Sequence, residues 1–147
     1  MGYTVVVGYD GSSGAKNALR SAVRMAKVEA SAQVIITCAQ HHEPSWAGLT
    51  MFGPNLRAEH EWEETARKIV AELEEAAELI RAEGVDCATA CSGGRPADVI
   101  VSVAKDANAD MIVVGAIGAG GGSHGLMGST VSGVLRHAHV PVLVVPE

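Results

Sequence analysis

Aromatic side chains are scarce: they make up 3% of the 147 residues, while apolar residues as a whole make up 48%. A core built from this chain is therefore one of Val, Ile, Leu and Ala. Basic charge is also in short supply. Eleven Lys and Arg stand against 17 Asp and Glu, for a formal net charge of −6. That balance argues against a surface for nucleic acid or for an anionic membrane. No apolar run approaches the roughly 18 residues that a membrane span requires. The opening MGYTVVVGYDG lacks the charged n-region and long h-region of a signal peptide. Gly2 is not followed by a myristoylation motif, because Val6 stands where Ser or Thr is needed. These absences lead us to expect a soluble, cytoplasmic protein. The cysteines are Cys38, Cys87 and Cys91, an odd number that gives no disulfide framework. Cys87 and Cys91 lie four apart in an extended run, so they face the same side of a strand. They read as small, reduced, buried residues; as a zinc pair, C-x3-C lacks a second pair nearby.

What the chain does contain is an alternation of apolar strands with helices. Its length suits one domain, residues 1–147, with a proper core. TVVVGYD (4–10) reads as a buried strand, and Asp10-Gly11-Ser12-Ser13 turns the chain into a helix that Ser12 or Ser13 can cap. QVIITCA (33–39) is a second strand. Residues 40–57 show no period and hold Trp46 and the single Phe, Phe52; such a long loop in a small domain points to function or mobility. A long helix is expected from Ala58 to Glu83, with Trp62, Ala66, Ile69, Leu73, Ala76 and Ile80 as its buried stripe. The helix also carries more than half of the acids, as a solvated face, and Gly84 ends it as a C-cap glycine. VDCATAC (85–91) is the third strand, and a helix begins at GGRPAD with Pro96 in its first turn. DMIVVGA (110–116), a helix from Ser129 to His137 and VPVLVV (140–145) complete the order βαβ(loop)αβαβαβ. With right-handed crossovers this fits a doubly wound α/β fold, a five-stranded parallel sheet with helices on both faces; if its order is 3-2-1-4-5, strands one and four are neighbours where the order reverses.

Half of the residues from Gly115 to Gly128 are glycine. Glycine carries the largest backbone entropy cost, so this density asks what the backbone must approach. In a doubly wound sheet, ligands sit beyond the carboxyl ends of the strands, where strand order reverses. The turn at Tyr9, Asp10 and Gly11 and the loop from Gly115 would meet there. That loop enters a helix at Gly128-Ser129-Thr130, whose free N–H groups and positive dipole suit an anion. Glycine-flanked N–H groups can close around phosphate as a nest. No Lys or Arg lies between Lys105 and Arg136, so a phosphate here relies on backbone N–H, hydroxyls, His124 and a metal ion. G-x-x-x-x-G-K-[ST] is absent, which excludes a P-loop. Gly120 to Gly125 spell G-x-G-x-x-G, but after the fourth strand and with no acidic residue about twenty positions on, so a Rossmann reading is poor.

Gly115-Ala116-Ile117-Gly118, a nine-residue spacer and Gly128-Ser129 together read G-x2-G-x9-G-[S/T]. This resembles the nucleotide-binding motif of the universal stress protein family, in its ATP-binding branch. The resemblance extends through VLRHAHVPVLVV, the opening VVVGYDGS and GRPADVI, and so over nearly the whole chain. It implies a flavodoxin-like, adenine nucleotide alpha hydrolase-like fold and a stress-response sensor or regulator that binds ATP with Mg2+. By the resemblance, Asp10 contacts the nucleoside and the backbone of Ala39 meets adenine. Val114 and Gly115 border ribose and phosphates, and Gly118, Gly128, Ser129 and Thr130 receive the phosphates. It further implies a homodimer through the last strand, residues 140–145. The chain departs from the family pattern at Ala119, where a basic residue is common, and at Val131, where Ser or Thr is common, with hydroxyls at Thr130 and Ser132 instead.

Three other readings remain beside this one. The phosphate end lacks cations, which suits AMP or cyclic AMP. The chain could be a nucleotide-free dimeric interaction module with residues 40–57 as contact surface. An FMN protein would carry its phosphate loop after strand one, where this chain has a short turn containing Asp10. The residues hold no nucleophile–base pair and no arginine placed for transition-state charge, so no catalytic set is assigned; slow ATP hydrolysis or self-phosphorylation is a family possibility only. His41-His42-Glu43 lacks a partner set for a metal, and His137 suits a helix C-terminus.

Overall fold

The computed structural model describes residues 2–40, 49, 50, 53, 54, 56–117 and 128–147, and for residues 49–62 within these the backbone alone. The elements follow in the order β1 (Thr4–Gly8), α1 (Ser13–Val28), β2 (Gln33–Gln40), β3 (Leu49–Thr50), β4 (Gly53–Pro54), α2 (Leu56–Ala82), β5 (Asp86–Gly93), α3 (Pro96–Asp106), β6 (Met111–Gly115), α4 (Ser129–His137) and β7 (Val142–Val145). Five strands form one parallel sheet in the order β5-β2-β1-β6-β7. In terms of these five strands alone, that is 3-2-1-4-5. The order reverses between β1 and β6, the central pair.

β1 explains why a run of valines can be a strand in this setting. Val5, Val6 and Val7 are all fully buried, because helices cover both faces of the sheet. Val5 and Val7 point to the face covered by α1 and α2, where Ala18, Ala22, Leu73, Ala77 and Ile80 join them. Val6 points to the other face, with Ile35 of β2 and Ile112 of β6 and with Ile100, Ala104 and Val134 from α3 and α4. Alanines line the inner side of α1, and this lets the helix lie close on the sheet.

The boundaries differ from the sequence expectation where local chemistry intervenes. β1 ends at Gly8 rather than at residue 10, and Tyr9 N–H still donates to the Thr37 carbonyl at 2.9 Å as the chain turns away. β7 begins at Val142 rather than at residue 140, although the Pro141 carbonyl already accepts from Ile112 N–H at 3.0 Å. The span expected to be loop contains a minimal antiparallel hairpin, Leu49–Thr50 against Gly53–Pro54. On α2, Leu73, Ala77 and Ile80 are buried while Ala76 is only half-buried, so the stripe passes through Ala77. The side chain of Trp62 lies outside the described residues. Gly84 follows α2 with φ 88°, the C-cap geometry expected of it.

Candidate functional site

The turn leaving β1 is held by three short-range hydrogen bonds. Asp10 Oδ1 accepts from Ser12 N–H at 3.0 Å and from the Ser12 hydroxyl at 2.5 Å. Ser12 Oγ in turn accepts from Ala15 N–H at 3.2 Å and so caps α1. Gly11 between them has φ 81°, which is why glycine follows the aspartate. Asp10 is thus fixed by its own turn at the carboxyl end of β1, and it is exposed there.

On the other side of the strand-order reversal, β6 runs out at Gly115. A Cβ at Gly115 would sit 2.6 Å from the carbonyl carbon of Gly14, and one at Gly14 would sit 2.6 Å from the Ile117 carbonyl oxygen. The first turn of α1 and the end of β6 therefore touch backbone to backbone. Glycine at 115 is required by the helix across from it, whatever else approaches. Gly128 N–H donates to the Ala116 carbonyl at 3.0 Å, which ties the start of α4 to the end of β6. Gly128 is the N-cap of α4 and offers no side-chain cap, so the first-turn N–H groups receive nothing from it.

These pieces surround one cleft of about 370 Å³. Of the sequence-derived candidates, Asp10, Ala39, Val114, Gly115, Gly128, Ser129 and Thr130 all line it. Gly118 and His124 lie outside the described residues, as do His41, His42 and Glu43. The cleft also takes in Tyr9, Thr37, Pro96 and Ile100, none of which sequence reasoning had assigned to a ligand. Thr37 carried the one available signal: a polar residue inside a buried apolar strand, two positions before Ala39 and so on the same face. Ile100 carried none, since it reads as ordinary helix core.

Electrostatically the cleft is nearly bare. Asp10 is the one charged side chain among the described lining residues. Tyr9 is buried, and its hydroxyl donates to Glu72 Oε1 of α2 at 2.8 Å. Burial first, and then this hydrogen bond to a carboxylate, push the phenol above its ordinary pKa, so Tyr9 is a neutral wall. Among the described residues, no group of three His, Cys, Asp or Glu is placed to hold a metal ion. The cysteines stand apart from this chemistry. Cys38 and Cys91 are register partners on β2 and β5, and all three thiols are free. Burial raises Cys38 and Cys87 to about 11, and Cys91 upward as well, which keeps them protonated near neutral pH.

A doubly wound α/β sheet with a glycine-bordered cleft at its switch point, beside a helix N-terminus, defines the fold class. Within that class the chain belongs to the universal stress protein family, whose pattern matches residues 2–146. It is 34% identical over 147 residues to a universal stress protein of Methanocaldococcus jannaschii, covering 97% of this chain and 81% of that one. Its fold superposes with a TM-score of 0.80 on the universal stress protein UspA from Lactobacillus plantarum, at 23% identity and 97% coverage of both chains. A second solved structure, a universal stress protein in complex with cAMP, has a TM-score of 0.65 and 28% identity, covering 98% of this chain and 96% of that one. Among the described residues, no helix is long and apolar enough to cross a membrane.

Proposed function

We propose that this protein binds an adenine nucleotide in the cleft between β1 and β6 and acts as a stress-response sensor or regulator in the cytoplasm rather than as a dedicated enzyme. One observation carries the reading: a carboxylate at the end of β1, a glycine backbone at the end of β6 and the N-terminus of α4 face one cleft. Their chemistry matches the three parts of a nucleotide. Asp10 accepts from ribose hydroxyls, and the Ala39 backbone meets the base. Val114 and Gly115 border the sugar, while Gly128, Ser129 and Thr130 give N–H and hydroxyl donors to phosphate. Gly118 belongs to the same set by its place in the motif. The related structure with cAMP supports a nucleotide of this kind.

The sole charge among the described lining residues is negative, so each added phosphate enters without a protein cation to meet it. ATP would accordingly be taken as its Mg2+ complex, the cation supplying positive charge that the described lining residues do not. The same observation favours AMP or cyclic AMP as a second reading. The scarcity of charge also argues against efficient phosphoryl transfer, which relies on cations at the transferring group. The family resemblance adds a homodimer through β7, whose outer side pairs with no strand among the described residues. Titration calorimetry with ATP, AMP and cyclic AMP, each with and without Mg2+, tests the reading. We expect submillimolar binding of at least one nucleotide, and for ATP a clear dependence on Mg2+. Absence of binding by all three up to millimolar concentration would refute it.

A further inference from the structure

Thr37 is the single buried polar residue of the described core, fully inaccessible in mid-strand on β2. Its hydroxyl is also the one buried side-chain polar atom among the described residues that has no hydrogen-bond partner. The surroundings explain why. Its neighbours in register are Gly8 on β1 and Ala90 on β5, which present nothing and a methyl group. Ile100 of α3 lies over the same place: a Cβ at Gly8 would come within 2.5 Å of Ile100 Cδ1. Apolar groups thus surround the hydroxyl on the protein side; Thr37 lines the cleft without accessible surface of its own, so a ligand reaches the hydroxyl only as a covering side chain such as Ile100 turns aside. A buried hydroxyl without a partner is costly to keep, and valine would fill the same space without that cost.

We infer that Thr37 is a base-reading residue: its hydroxyl hydrogen-bonds a nitrogen on the polar edge of a purine base, adenine in the present reading, seated against Ile100, Val114 and Val131. The inference rests on the nucleotide reading above and deepens it. The cleft divides by chemistry. Its hydroxyl- and N–H-rich rim at Ser129 and Thr130 suits phosphate, Asp10 suits ribose, and the apolar floor suits a flat ring. A ring placed on that floor needs at least one polar partner for its edge, and Thr37 is the side chain there that lacks one. A hydroxyl can donate to a ring nitrogen or accept from an exocyclic amine, so it serves the adenine edge in either sense.

The test compares wild type, Thr37→Val and Thr37→Ser by AMP titration and by thermal melting without ligand. Thr37→Val should bind AMP about five- to tenfold more weakly, the loss of one net hydrogen bond. Without ligand it should melt at the same or a higher temperature, since the unpartnered hydroxyl is gone. Thr37→Ser should restore most of the affinity. If Thr37→Val binds AMP like wild type, the inference fails while the nucleotide reading stands. If Thr37→Val melts lower without ligand, the hydroxyl has a partner in the free protein and the inference fails again. If wild type binds no adenine nucleotide, both readings fall together.

Discussion

Gly14 and Gly115 touch across the base of the cleft, and that contact sets how close α1 can come to β6. Gly115→Ala would drive a methyl group into the Gly14 backbone, which cannot yield as a flexible side chain would. We expect a stability loss of about 1–3 kcal/mol, read from the urea midpoint, as for other overpacked sites. An unchanged midpoint would mean that the helix slides freely over the strand. Asp10 and Ser12 pose a different question, since one small network holds both the turn and the helix cap. Ser12→Ala should cost about 1 kcal/mol through the lost cap. Asp10→Asn should keep the turn and weaken nucleotide binding about tenfold, through loss of a charged acceptor. At this scale the sequence told only part of the story. Asp10, Gly115 and Gly128 were legible because turns and helix starts have local signatures. The reason for Gly115 was not, because Gly14 lies a hundred residues away in the chain. Thr37 stayed hidden as well, since a strand threonine is ordinary until its neighbours are known to be Gly8 and Ala90.

β2 and β5 carry the three thiols, and their burial has a consequence for alkaline pH. Cys38 and Cys87 hold their protons up to about 11 in the folded chain, against an ordinary value of 9.0 once exposed. The unfolded chain therefore releases these protons first. The stability that these groups contribute is complete below about pH 9 and falls as pH rises toward 11, with Tyr9 acting in the same direction. Melting temperature should decline over that window, and Cys87→Ala should flatten the decline. A melting temperature that stayed level to pH 11 would contradict the burial of these groups. α2 shows how a long acidic helix can remain simple. Its outer face holds exposed i,i+4 pairs such as Arg67 with Glu63 and Lys68 with Glu64, which add little stability. Helical spacing made α2 legible, and α4 spans the expected Ser129–His137. The β3–β4 hairpin was not legible, because two residues per strand are too few to show a period.

For the whole molecule, the alternation of apolar runs with helices made a parallel sheet legible, because parallel strands need crossovers and crossovers keep one hand, while the order β5-β2-β1-β6-β7 is seen in the fold itself. That order places β1 beside β6 and so creates the cleft. The same order leaves β7 at an edge, with Leu143 partly exposed at 36%. If two copies pair through this edge, Leu143→Lys should shift the protein from twice the chain mass to the chain mass in light scattering. A wild type that runs at the chain mass would remove the dimer. Ligand binding should also stabilise the fold as a unit, by about 2.7 kcal/mol at a nucleotide concentration a hundredfold above Kd. The central claim, that an adenine nucleotide occupies the β1–β6 cleft, is tested most directly by amide chemical shifts recorded during an AMP titration. The account predicts that the N–H signals of Ala39, Gly115, Ser129 and Thr130 move together and saturate. Shifts confined to the opposite end of the sheet, around Asn108 and His139, or no shifts at all, would contradict it.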